Sequence, residues 1–329
     1  MATAEEAIQD ATVTETPRKR QPNGSSRCRG FWQDVWAERW AYIFVAPPII
    51  SFLVFFAYPA IFAFYASFFK FNNFKFTALD SPFDNYKRAL NDIMFRRAMV
   101  NVLELFAISF VGGQIISLLV AVLLNGLKRL VGLFRTIYYL PMITSVVIVG
   151  ALFRWILRSD ASGVANVVMH KLFSTEPIRW LQKESLMIPS IALVSIWTGV
   201  GGSVIIWTAG LKGVPKELYE AATIDGANRW RQFLNVTLPM LKPIVMYQAV
   251  LGFIGGMKAF GFNFTMLQAG DRSGVPPAAG MTPVYMVYHY GFSRLQMGYA
   301  SAVAYLLSVI LLVISVLQFR FFGNPELYD

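Results

Sequence analysis

Six long apolar runs decide what this chain can fold into. A helix needs about 20 predominantly apolar residues to cross the hydrocarbon of a bilayer. Runs of that order recur at about 41–69, 105–127, 136–153, 185–211, 243–267 and 296–319. The third is short, Pro47, Pro48 and Pro59 interrupt the first, and Lys258 breaks the fifth. In lipid every backbone N–H and C=O must find a partner inside the protein, so such runs cross as helices. The expected fold class is therefore an all-α membrane protein with six transmembrane helices. Prolines and glycines within the runs free backbone groups that neighbouring helices or water must satisfy, which predicts bent helices lining a cavity.

The composition agrees: 15% of residues are charged, against about 25% in soluble domains. The net charge of +10 sits in the connections between the runs, as a membrane surface requires. A nucleic-acid binder would cluster it on a soluble face. A single Cys28 excludes a disulfide framework and a Cys-based zinc site. His170 and His289 leave little for histidine–metal chemistry. Residues 1–39 read as a polar tail with Pro17, Pro22 and Gly24, lacking the apolar core and cleavage site of a signal peptide. Residues 324–329 form a second short tail. An even number of spans puts both termini on one side. The cluster Arg18, Lys19, Arg20, Arg27 and Arg29 favours an inner N-terminus. The whole tally, 15 Lys and Arg on inner segments against 13 on outer ones, decides little.

No G-x-x-x-x-G-K-[ST] loop occurs; "GFIGGMK" (252–258) lacks the spacing, so no Walker A site binds ATP here. Scattered serines, aspartates and histidines show no triad spacing. No catalytic residue, cofactor site or metal site is expected in this chain.

The segment "KELYEAATIDGANRWRQFLNVTLPMLKP" (216–243) is a polar island between the fourth and fifth runs. Pro215 suits a helix's first turn, Lys216 to Asp225 then reads as a helix, and Gly226 is a good residue to end it. A second helix passes through Arg229, Trp230, Arg231 and Phe233, with Leu238-Pro239 and Lys242-Pro243 expected to punctuate its end. Helices below about 12–15 residues are marginal alone. This one needs a surface, either lipid headgroups or a partner protein.

Glu220, Ala221, Ala222, Gly226, Val236, Leu238 and Pro239 together resemble the EAA signature of permease subunits in binding-protein-dependent ABC importers. Val236 replaces the more usual Ile. The segments "GLFRTIYYLPMITS" (132–145) and residues 178–227 look like the carbohydrate branch, relatives of the maltose permease subunit. The likeness runs from about Trp40 to Gly323. It implies a type I importer permease fold in a bacterial inner membrane, both termini cytoplasmic, with 212–242 as the coupling loop. The implied partners are a second homologous permease, an ATPase dimer that holds ATP and Mg²⁺, an extracytoplasmic solute-binding protein and a carbohydrate substrate; no nucleic acid is implied. Glu220 is the implied ionic contact with the ATPase, Ala221 and Ala222 the close-approach face, and Gly226 the sharp turn after Asp225.

Polar groups inside spans are costly, and functional by default. Thr144 and Ser145 follow Pro141, where a kink would expose them to a cavity. The fourth run carries Trp197, Thr198, Gly199, Gly202 and Ser203, and the fifth carries Phe253, Gly256, Met257, Lys258, Phe260 and Asn263. In the related permeases the positions of Gly199, Gly202, Phe253, Gly256, Met257 and Phe260 face substrate. The relatives place amides at two of these positions, where this chain has Met257 and Phe260, and glycine at 202 offers no side chain. Both differences argue against maltose itself. A central unpaired lysine costs about 2.5–3.5 kcal/mol on insertion scales. Lys258 is thus expected to pair with Glu104, to meet an anionic substrate group, or to lie where the helix already leaves the membrane. The loop "GDRSGVPPAAGMTP" (270–283) is implied to dock the binding protein. Small-residue helix packing competes with a substrate role for Thr144 and Ser145. An ion-driven carrier and a membrane assembly subunit are the alternatives of a different class.

Overall fold

The computed structural model describes residues 39–127, 131–267 and 277–322. The tail expected at 1–38, with Cys28, the stretch 268–276 of the outer loop, and residues 323–329 lie outside the described residues. Among them, four helices are long and apolar enough to cross a membrane, and two sharply bent helix pairs raise the number to six.

Residues up to Ala60 form a unit of their own. They make up most of α1 (Arg39–Ser67), an apolar helix of 29 residues. Pro47 and Pro48 do not end it. Before Pro59 the ladder widens into one π turn, Leu53–Ala57, with the Tyr58 N–H reaching the Leu53 carbonyl. Proline lacks an N–H and crowds the preceding turn, and a π turn absorbs that defect without stopping the helix. No residue from 39 to 60 is buried. Phe44 and Phe55 are each 80% exposed, an apolar surface of the kind a lipid or a protein partner covers.

The second unit begins with a small hairpin, β1 (Lys70–Asn72) and β2 (Lys75–Thr77), in antiparallel register. The all-α expectation missed it. Its two turn residues, Asn73 and Phe74, have φ of 47° and 62°. That is the two-residue turn whose twist suits a hairpin, but only Asn73 carries a sequence signal for it. Phe71 and Phe76 stack across the strands at 4.0 Å.

Helix α2 (Asp84–Asn91) leads into α3 (Ile93–Asn125). The second span was expected to open near Leu105, but its helix starts at Ile93. Asp92 caps it, accepting the Met94 N–H at 2.8 Å. Its first turns bury Phe95, Ala98, Asn101 and Val102. Glu104 therefore lies inside a helix and not at its start.

The third span is not one helix. α4 (Val131–Ile143) and α5 (Val146–Ile156) meet at 94°. Then come α6 (Val164–Phe173) and α7 (Glu184–Gly213), the central helix, which packs along α3. A Cβ on Gly201 would stand 2.5 Å from the Tyr138 carbonyl oxygen, so glycine there lets α4 cross α7 backbone to backbone. After α7 come α8 (Lys216–Ile224), α9 (Arg229–Met240) and α10 (Lys242–Met257), the last two bent by 58°. The fifth span is also broken: α10 stops at Met257 and α11 starts at Gly261, running to Leu267. α12 (Pro283–Tyr288) passes through a π turn toward α13 (Met297–Phe322).

Buried side chains knit these helices. Leu105, Val149, Ile191 and Met266 join α3, α5, α7 and α11. Ala121, Val204, Trp207 and Leu241 join α3, α7 and the start of α10.

Candidate functional site

The polar island folds as the capping chemistry dictates. α8 ends in a Schellman motif: the Gly226 N–H reaches the Thr223 carbonyl at 3.1 Å and the Ala227 N–H reaches Ala222 at 2.9 Å. Gly226 has φ of +76°, which a Cβ would penalise. Asn228 caps α9 by accepting the Arg231 N–H at 2.9 Å. Gln232 Nε2 donates to Thr223 Oγ1 at 2.9 Å and to the Ala227 carbonyl at 3.1 Å, tying the two helices together. Tyr219 and Thr237 bond through their hydroxyls at 2.9 Å. Leu238-Pro239 does not end the helix as expected. A π turn, Phe233–Thr237, precedes Pro239, and the helix continues to Met240. This is the same accommodation seen before Pro59.

Glu220, Ala221, Asp225, Gly226, Leu238 and Pro239 are exposed, and Ala222 is half-buried. Sequence reasoning missed two neighbours: Ile224 is 87% exposed at the tip of α8, and Trp230, 66% exposed, stacks on Phe233. A large aliphatic and an aromatic side chain left bare on a polar loop were the available signal. The loop is thus a rigid, self-capped hairpin of helices with an acidic, small-residue and apolar outer surface.

Within the membrane region the expected pocket residues separate into two sets. The first lies around the break between α4 and α5. The break falls at Thr144-Ser145, not at Pro141, which stays inside α4. Thr144 Oγ1 bonds back to the Leu140 carbonyl at 2.8 Å. Such local bonds compete with helix continuation. Ser145 is exposed, with no side-chain cap bond. Nearby, Trp197 is 44% exposed and packs on Phe153 at 5.3 Å. Gly199 is exposed, with nothing within 4 Å of a Cβ placed on it. Gly202 faces the sulfur of Met142. Thr198 and Ser203 are half-buried, and the Thr198 hydroxyl bonds the Val194 carbonyl at 3.0 Å. An apolar cavity of about 740 Å³, lined by Tyr138, Pro141, Phe153 and Trp197 among others, adjoins this break.

The second set is occupied by the chain's own packing. Phe253 and Met257 join Val102 and Leu307 in one buried cluster. Gly256 lies against Phe106. Asn263 is 1% exposed and donates to the Gly280 carbonyl at 2.9 Å. These four were expected to face substrate, but the register of α10 and α11 turns them toward α3, α13 and the turn at Gly280. Phe260 sits at the gap between α10 and α11, packed with Phe264, Tyr285 and Tyr288.

Lys258 is exposed as the C-cap of α10. Among the described residues it forms no ion pair with Glu104. The carbonyl end of a helix carries about half a negative charge, which offsets part of the ammonium's cost. Sequence reasoning also missed a polar chain across three spans. Trp207 Nε1 donates to Gln114 Oε1 at 2.9 Å, and Gln114 Nε2 donates to Gln248 Oε1 at 3.3 Å. Gln248 is 5% exposed. Glutamines within apolar runs were the signal.

Residues 113–322 match the family described as binding-protein-dependent transport system inner membrane component. The chain is 33% identical over 322 residues to the arabinooligosaccharides transport system permease protein AraP of Bacillus subtilis (strain 168), covering 96% of this chain and 97% of that one. It is 30% identical to the multiple sugar-binding transport system permease protein MsmF of Streptococcus mutans, covering 85% and 94%. In fold it is similar to a chain of a bacterial ABC transporter involved in the import of the acidic polysaccharide alginate. That match has a TM-score of 0.75 and 24% identity, and covers 88% of this chain and 97% of that one.

Proposed function

The chain belongs to the binding-protein-dependent transport system inner membrane components, and we propose that it is one permease half of an ABC importer for a sugar or oligosaccharide. The observation that carries the mechanism is the self-capped, outward-facing helix Lys216–Ile224. A rigid helix whose ends are already satisfied can be moved as a body by a partner that grips it. That partner is an ATPase dimer on separate chains, which binds ATP and Mg²⁺ and turns its closure into motion of α8 and α9. Because α9 runs through Leu241 into α10, the motion passes directly to the broken fifth span. Loop 212–242 and both termini then face the cytoplasm, and a solute-binding protein delivers substrate on the other side. A second, homologous permease completes the pathway. The open faces at Ser145, Trp197, Gly199, Lys258 and Phe260 are the substrate-facing candidates of this half. The relatives' descriptions lend no support to an ion-driven carrier.

Co-purification from membranes tests the reading. An ATPase and a second permease are expected with this chain, and ATP hydrolysis by the assembly is expected to rise with one class of sugar-loaded binding protein. Isolation with neither partner would sink it.

A further inference from the structure

At the end of α7 away from the coupling loop, two loops carry arginines and are stapled together by one buried amide. Asn166, 3% exposed on α6, donates through Nδ2 to the carbonyls of Arg158, Asp160 and Ile178 at 3.0–3.1 Å. Its Oδ1 accepts from the Ile178 N–H at 3.0 Å and the Trp180 indole at 2.9 Å. The loop after α5 and the loop before α7 are therefore held in fixed relation. Gly163 permits this, because a Cβ there would run into the Arg158 carbonyl.

These loops and the end of α11 enclose a cavity of about 610 Å³. Its floor is Leu157, Met266 and Leu267, all part of the buried core. Its rim carries Arg154, Arg158 and Arg179, with Gln182. The one carboxylate lining it, Asp160, is already used. It accepts the Ser162 hydroxyl at 2.7 Å and pairs with Arg158 at 2.5 Å. Hydrogen bonds from Ser162, with the Arg158 guanidinium beside it, hold its carboxyl below the usual range. Arg154 has only a 3.4 Å contact to the Thr265 carbonyl, and Arg179 is in no ion pair among the described residues. The rim thus keeps two guanidiniums without a carboxylate partner.

α7 has 30 residues, about 45 Å at 1.5 Å per residue, so this cavity and the coupling loop lie on opposite sides of the bilayer. A volume in the range of about 300–1,000 Å³ suits a small-molecule site and exceeds what a lone carboxylate fills. An apolar floor matches the C–H face of a sugar ring, and a guanidinium fork matches a carboxylate. We propose that this cavity is an extracytoplasmic binding site for an anionic saccharide unit, a sugar ring bearing a carboxylate. The proposal rests on the importer reading and deepens it by naming a substrate class.

The test uses the assembled importer in nanodiscs without its binding protein, with trigalacturonate and neutral galactotriose as probes. Trigalacturonate is expected to bind the more tightly, and added salt to weaken it by screening. Arg179→Gln is expected to lower the acidic-to-neutral affinity ratio about tenfold, the size of one lost charge-assisted hydrogen bond. Arg179→Lys should lower it less, and Arg154→Gln combined with Arg179→Gln should lower it further. Equal binding of both probes by the wild type, or an equal effect of Arg179→Gln on both, would overturn the proposal. Import of neutral sugars without trigalacturonate binding overturns the cavity's role and leaves the importer reading standing; failure to assemble with an ATPase removes both. If Arg179→Gln weakens docking of the binding protein whatever sugar it carries, the cavity receives an acidic side chain of that protein and the saccharide proposal fails.

Discussion

Replacing Gly226 tests whether the coupling loop works through its backbone. Gly226 has φ of +76°, and a Cβ built on it meets no atom within 4 Å. A side chain there strikes nothing in this chain, so only the backbone conformation is strained. For an L-residue the left-handed region costs about 1–2 kcal/mol, and a β-branched residue fares worst. If the turn relaxes instead, the bonds from Gly226 to Thr223 and from Ala227 to Ala222 go with it. Each is worth about 0.5–1.5 kcal/mol net. Either way the intact helix pair becomes less populated by about 5- to 30-fold. Gly226→Val is therefore expected to insert into the membrane at normal levels, yet to lose sugar uptake and sugar-stimulated ATP hydrolysis by about that factor. Asparagine tolerates the left-handed region, so Gly226→Asn should keep most of the activity. The assay is uptake into vesicles holding the reconstituted importer, normalised to assembled complex. Wild-type uptake from Gly226→Val would refute the reasoning. Equal loss from Val and Asn would show that the surface and not the φ angle matters.

Glu220→Lys reverses an exposed charge on α8; it should leave the folded chain intact while reducing ATPase co-purification, and unchanged co-purification would remove Glu220 as a contact. Gly201→Val drives a side chain against the Tyr138 carbonyl, 2.5 Å from the Cβ position; overpacking of this kind costs about 1–3 kcal/mol, so a lower melting temperature of the detergent-solubilised chain is expected, and an unchanged one would mean that α4 does not cross there. Lys258→Gln removes an exposed ammonium that lacks an ion pair with Glu104; uptake of an acidic sugar should fall more than that of a neutral one, and equal effects on both would exclude contact with an anionic substrate group.

Much of this was legible in the sequence. Hydropathy summed over some 20 residues located the spans, because burial in lipid is a demand on composition that each segment meets alone. The Pro215, Gly226 and Asn228 signals marked the helix ends of the coupling loop, because capping is settled within a few residues. Facing was not legible. Whether Met257 or Trp197 meets the cavity depends on partners far away in sequence, Leu307 for the one and Phe153 for the other. The break at Ser145, the start of α3 at Ile93 and the π turns before Pro59 and Pro239 are likewise choices among allowed local forms. The arginine cavity shows the division most plainly. Arg154, Arg158 and Arg179 are ordinary loop charges in the sequence, and only the hydrogen bonds of Asn166 hold Arg158 and Arg179 on one rim. Composition and local capping determined which segments cross and which are helical, since those free energies add residue by residue. Tertiary packing decided which side chains converge, since that depends on pairs of surfaces that no single stretch of sequence contains.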